Sequence, residues 1–296
     1  MQSTKVVSLL VVSLAVPFVS AAATEPLQLR WGGSVLTISG PQVPGGEIEV
    51  RYLEAYCRAG STEADWGKTV IRHRSELLEA NANRTLIRLQ DVLDDGLCVT
   101  HEIRSTSDEV RFEVTAHNLT AKRSEAHWAQ PCIRLDRFTG ANQETYLPKS
   151  FIFVGGRLTR LPTQPWATAA RYTPGQVWCP AGVDRRDVNP RPLSSLVPSN
   201  GLIGCFSADE KRVFAVAFAP HQELFQGVFV CLHSDFRLGG LQPGEMKKIR
   251  GRIYIVPDVP ELLRRYEADF PKAGRLGNGP TNMQQDGVGN TVQPKK

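Results

Sequence analysis

Between residues 68 and 117 one pattern repeats. Short runs with an apolar residue at every second position alternate with turns, and no stretch of helical spacing intervenes. The runs cover 68–73, 85–90, 97–104 and 109–117, and Asp94-Asp95-Gly96 supplies turn chemistry between two of them. In the last run Val110, Phe112, Val114 and Ala116 alternate with Arg111, Glu113, Thr115 and His117. Strands joined without crossover helices belong in antiparallel sheets, and one face of each needs a core.

The rest of the chain continues the pattern. Residues 27–30 and 35–39 flank Gly32-Gly33, and 151–154 and 157–159 flank Gly155-Gly156, so both pairs read as hairpins. Further strands are expected at 47–53, 202–207, 212–219, 225–232 and 248–256. Residues 212–219 are apolar on both faces and should lie centrally. In 248–256, Ile249, Gly251, Ile253 and Ile255 should face inward, and Arg250, Arg252 and Tyr254 outward. Asp258 then caps one helix, with Pro260 in its first turn and Leu262, Leu263, Tyr266 and Phe270 at helical spacing. The expected fold is mainly β: a large antiparallel β-sandwich with one C-terminal helix, forming a single domain over residues 24–271.

The two ends read differently. Lys5, the apolar run 6–19 and Ser20-Ala21-Ala22-Ala23 have the three parts of a secretory signal peptide, expected over residues 1–23. The protein is accordingly expected to be exported, to the periplasm or the extracellular space. No later segment has an apolar run long enough to span a bilayer as a helix. Residues 272–296 are rich in Gly, Asn, Gln and Lys and read as a disordered tail. The net charge of +5, from 35 basic and 30 acidic residues, sits mostly in these ends, in Lys5, Lys272, Arg275, Lys295 and Lys296. The body is nearly neutral, so nucleic acid is not an expected partner.

Six cysteines, at 57, 98, 132, 179, 205 and 231, leave disulfides and buried thiols both open. No C-x-x-C, G-x-S-x-G, P-loop or dinucleotide fingerprint occurs. His233-Ser234-Asp235 offers a His–Asp pair that reads as a hydrogen bond rather than a ligand set, so neither a metal nor a cofactor is expected. His101 shares an apolar face with Leu97, Val99 and Ile103 and reads as a hydrogen-bonded core residue. Trp66 reads as core, with sugar stacking as the alternative. From 140 to 200 the chain changes character: Pro162, Pro165, Pro174, Pro180, Pro190, Pro192 and Pro198 accompany Trp166, Tyr172 and Trp178. An irregular segment this long suggests an ordered binding loop over one end of the sandwich.

The order strand, Asn118, polar turn, His127 and Trp128 resembles that of galactose-mutarotase-like, or supersandwich, proteins. In sugar epimerases of that group the corresponding His helps polarise the ring oxygen. The Tyr-Phe-Asn run that follows it there is replaced here by Trp-Ala-Gln-Pro-Cys. The runs WAQPCIRLDRFTG and VCLHSDFRLGGLQPGE are also similar to a family of exported bacterial proteins, a likeness that implies no particular activity.

A carbohydrate cleft needs aromatic platforms, planar hydrogen-bonding groups and, for epimerase- or lyase-like chemistry, a general acid and base. His127, His233 and Asp235 are the expected catalytic groups. Trp128, Gln130, Asp136, Arg137, Trp178, Asp184, Arg185 and Arg237 are the expected substrate contacts. The alternative is a non-enzymatic cell-envelope or interaction protein on the same fold, with His127 and His233 engaged structurally instead of facing a cleft.

Overall fold

A computed structural model describes residues 25–164, 176–227 and 229–271. The expected leader and tail, with Pro165, Trp166, Tyr172 and Pro174, lie outside the described residues.

Seventeen strands are formed among the described residues. The first nine are β1 (Gln28–Gly32), β2 (Val35–Ser39), β3 (Glu47–Arg58), β4 (Val70–Ile71), β5 (His73–Ala80), β6 (Leu86–Leu93), β7 (Cys98–Ser105), β8 (Glu109–His117) and β9 (Ala126–Arg134). The rest are β10 (Ser150–Val154), β11 (Arg157–Arg160), β12 (Val177–Trp178), β13 (Pro198–Phe206), β14 (Val213–Ala219), β15 (His221–Gln226), β16 (Cys231–Arg237) and β17 (Met246–Val256). Two one-turn helices, α1 (Trp66–Thr69) and α2 (Asp136–Thr139), precede the longer α3 (Val259–Asp269).

The strands make two antiparallel sheets. One runs β1-β2-β3-β9-β16-β15-β12, with β4 added to β3; the other runs β11-β10-β13-β14-β17-β8-β7-β6-β5. Alternation along each strand decides which side chains enter the layer between them. Val110, Phe112, Val114 and Ala116 of β8 enter it, with Ile249 and Ile253 of β17 and Ile48, Val50 and Tyr52 of β3. This is the mainly β sandwich expected from the strand pattern.

β14 is fourth in its sheet and buried on both faces. Phe214, Val216 and Phe218 join the central core, while Val213, Ala215 and Ala217 meet Tyr254 of β17 and Leu262 of α3. The helix is fixed at both ends. The Asp258 side chain accepts from the Glu261 amide at 2.8 Å, and Tyr254 donates to Asp269 at 2.8 Å. The opposite end of that outer face stays open and carries ion pairs, including Arg88 between Glu79 and Glu102 and Arg111 with Glu109.

Two segments differ from expectation. Residues 225–232 are not one strand: the chain turns after Gln226, and β15 and β16 pair as a hairpin that sets Phe225 opposite His233. Apolar residues on both sides hide the turn, which is marked only by Gln226-Gly227. Residues 68–73 divide between α1, β4 and the start of β5, whose half-exposed sequence HRSELLEA carries a weak alternation signal. All six cysteines are free thiols.

His101 lies in a polar knot inside the core. It faces Asp91 Oδ2 at 3.1 Å and Tyr52 Oη at 2.9 Å, and Tyr56 donates to Asp91 at 2.5 Å. Burial works against ionisation of Asp91, but its bonds to His101 and Tyr56 outweigh that and hold its pKa below the usual 3.8. A depressed carboxyl pKa contributes stability above the unfolded value, and this contribution is lost as pH falls through the folded one. Asp91→Asn should therefore cost roughly 2–3 kcal/mol at pH 7. Urea denaturation at stepped pH should show the gap between variant and wild type closing below about pH 4.

Candidate functional site

The first sheet turns one face away from the core, and that face is polar yet buried. Ala129 and Ile133 of β9, Leu224 of β15, and Leu232 and Phe236 of β16 point into the core. The intervening residues Trp128, Gln130, Cys132, Glu223, Cys231, His233 and Asp235 point the other way, and all are buried. The cover is the irregular segment 179–197. Its Asn189 amide donates to both Glu223 carboxylate oxygens, at 2.9 and 3.2 Å, and the Asn189 side chain donates to Gln130 Oε1 at 3.3 Å. Asp187 binds His127 Nδ1 at 2.9 Å and Arg237 at 3.3 Å, and its carbonyl accepts from Gln222 at 2.6 Å. Thr62 ties the same segment to the loop after β3 by donating to the carbonyls of Arg185 and Val188.

Between this cover and α1 a cleft of about 420 Å³ opens. Glu54, Trp66, Gln130, Asn189, Arg191 and Phe225 line it. Trp66 is 42% exposed, not a core residue: α1 leads into β4, the two-residue strand beside the end of β3, and the indole stands at the rim. On the floor the Gln130 amide donates to Glu54 at 3.3 Å and accepts from Asn189, so three planar groups are chained together.

Beneath the floor, Glu223 and Asp235 stand directly opposite each other on β15 and β16, both fully buried. Like charges so placed repel. Burial foremost, then the facing Asp235, pushes the Glu223 pKa well up, and burial pushes Asp235 up to about 6. Neither Asp235 oxygen has a hydrogen-bond partner among the described residues, and His233 Nδ1 is 3.7 Å away. Cys132, Cys231 and His233 form the one group of three side chains among the described residues whose donor atoms converge as a metal would require.

The structure brings some of the sequence-selected residues together and scatters others. Gln130 is in the floor, and His233 and Asp235 share its sheet face on the neighbouring strand but do not line the cleft. Trp128 is fully buried and its indole donates to Ser61 Oγ at 3.1 Å; Trp178 is fully buried and donates to Thr163 at 3.1 Å. His127 and Arg237 meet at Asp187, away from the cleft lining, with 18% of the His127 side chain exposed. Asp184 pairs with Arg186 on the surface, and Arg185 donates to the Ser194 carbonyl. Asp136 and Arg137 are exposed on α2, where Arg137 pairs with Glu47. Glu54, Asn189, Arg191, Glu223 and Cys132 join the site without having been singled out. Glu223 had a signal: in a hairpin read correctly, it falls opposite Asp235.

No protein-family model matches the chain, and no curated protein does. The chain is similar in fold to galactose mutarotase-like proteins. One from Lactobacillus casei is 8% identical, with a TM-score of 0.43 over 77% of this chain and 99% of that one. One from Clostridium acetobutylicum is 8% identical, with a TM-score of 0.43 over 78% and 95%. An α-N-acetylgalactosaminidase from Bifidobacterium bifidum, solved with GalNAc, is 12% identical, with a TM-score of 0.46 over 84% of this chain and 38% of that one.

The His127 ring is held on one side and given room on the other. Asp187 binds Nδ1, and a side chain at Gly240 would come within 2.8 Å of Nε2. His127→Ala should leave Asp187 short of a partner and cost roughly 1–3 kcal/mol. Thermal and urea unfolding should report that loss, with secondary structure by circular dichroism unchanged. Wild-type stability in the variant would contradict the anchoring role.

Proposed function

We propose that the protein is exported and binds carbohydrate in the cleft between α1 and residues 189–191. The observation that carries this reading is the pairing of a rim indole, Trp66, with the planar hydrogen-bonding groups of Glu54, Gln130 and Arg191 in one cleft. A pyranose presents an apolar ring face and equatorial hydroxyls. An aromatic face takes the first, and carboxylate, amide and guanidinium groups take the second. The Gln130 amide is already oriented by Glu54 and Asn189, so little ordering is left for ligand binding to supply. The leader-like sequence at residues 1–23 supports export.

A second reading, a non-enzymatic envelope protein, draws on a specific observation. His127 and His233, the histidines expected to transfer protons, are engaged by Asp187 and buried beneath the floor, respectively. Both readings share ligand recognition by the cleft and part over turnover.

Titration calorimetry against a broad panel of mono- and oligosaccharides tests the proposal. Trp66→Ala should weaken binding of any hit by roughly five- to tenfold, the worth of one aromatic contact, with little change in melting temperature. Glu54→Gln should weaken it less, because the amide keeps hydrogen-bonding capacity. Following anomer exchange of the same hits by NMR separates catalysis from binding. Silence across the panel would sink the carbohydrate reading.

A further inference from the structure

We propose that Cys132, Cys231 and His233 form a binding site for a thiophilic d10 metal ion, copper(I) or zinc(II), buried under the cleft floor. The inference is independent of what the cleft binds.

The three donors come from neighbouring strands. Cys231 and His233 are two residues apart on β16 and so share a face, and Cys132 reaches the same face from β9. All are buried, none more than 3% exposed, and their donor atoms lie within 4.8 Å of one another. Cys231 Sγ and His233 Nε2 are 3.4 Å apart. Ions of this class sit about 2.3 Å from sulfur and about 2.0 Å from nitrogen, which sets the S···N edge of the coordination sphere near 3.5 Å. That edge is already formed, and the two edges to Cys132 are each no longer than 4.8 Å. Two thiolates with one imidazole select soft ions over magnesium or calcium.

Three surrounding features fit an ion at this point. The first is the other side of His233, whose Nδ1 is 3.7 Å from Asp235 Oδ1 and makes no hydrogen bond of its own. Metal-bound histidines characteristically direct their second ring nitrogen at a carboxylate, which fixes the tautomer that leaves Nε2 free to ligate. The second feature is Gly227. A Cβ there would stand 2.1 Å from Cys231 Sγ and 2.9 Å from His233 Nε2, so any other residue would press on both donors. The third is Arg134, directly opposite Cys231 across the strand pair, where its guanidinium offsets the negative charge of two thiolates.

The donor count narrows the coordination. Closed structural zinc sites take four protein ligands. Here three converge among the described residues, which suits trigonal copper(I), or zinc(II) completed by an exogenous ligand. On binding, both thiols give up their protons, no electron is transferred, and the imidazole binds through its Nε2 lone pair. A Cys132–Cys231 disulfide is the competing use of the sulfurs. It would make no use of His233 Nε2, which stands 3.4 Å from Cys231 Sγ, and for that reason the geometry favours the metal.

The full chain, purified reduced and without oxygen, is loaded separately with copper(I) and zinc(II), desalted, and measured for retained metal by mass spectrometry. One equivalent of either ion should remain, and X-ray absorption at its edge should show two sulfurs and one imidazole nitrogen among the ligands. Loading should raise the melting temperature by a few degrees. Cys132→Ser and Cys231→Ser should abolish retention, while Cys98→Ser, on the other sheet, should leave it unchanged. If a site variant fails to fold, the wild-type absorption spectrum decides alone. Retention of neither ion, a ligand set lacking the two sulfurs, or a Cys132–Cys231 disulfide in peptide maps of the isolated protein would each overturn the proposal.

Discussion

A carboxylate buried on a sheet face has to find its donors away from the sheet, because the strand amides are already committed to one another. Glu223 is fully buried on β15 and takes its donor from the amide of Asn189, 34 residues earlier in the chain. That bond draws the irregular segment 179–197 down onto the first sheet. Asp187 repeats the device two residues away, gathering His127, Arg237 and Gln222 around one side chain and one carbonyl. The cover is therefore held by polar groups that would be costly to leave alone. Its apolar contribution is small: Cys179 and Val188 cluster with Val177 and Phe225, and Leu196 packs against the central core.

This arrangement explains why the two outer faces of the sandwich differ. Around β14 and β17 the outer surface of the second sheet is apolar and receives α3, a conventional burial of a helix face. Further along, it is an open field of ion pairs, each worth little in water. The outer face of the first sheet is neither. It holds thiols, a histidine and two opposed carboxylates at burial levels normally kept for aliphatic side chains. Groups so expensive to bury, placed beneath a cleft, are where chemistry or recognition is to be sought.

Much of the frame was legible in the sequence, and the reasons are local. β8 alternates strictly, β14 is apolar on both faces, and Asp258-Val259-Pro260 announces the start of α3. Each signal is carried by residues within one element. The site was legible only in part. Gln130, His233 and Asp235 stood out by residue type, but Glu223 could be placed only once the β15–β16 turn was known, and the apolar residues flanking Gln226-Gly227 masked it. Glu54 sits at a register shift in β3 between Arg51 and Ala55, which alternation cannot foresee. Trp66 read as core because tryptophan usually is, and only the position of α1, just ahead of β4 at the end of β3, exposes it. Cys132 and Cys231 are nearly a hundred residues apart, and their meeting depends on the β9–β16 pairing.

The central claim is that the cover over the first sheet is a built part of the site, pinned by the Asn189–Glu223 bond. Amide hydrogen exchange followed by NMR tests it most directly. Asn189 lies outside any strand or helix, yet its amide should exchange on the timescale of the neighbouring strands β15 and β16. Glu223→Ala should speed that exchange by several orders of magnitude while the core amides of β8 and β17 stay protected. Exchange of the wild-type Asn189 amide at the rate of a solvated loop would contradict the account.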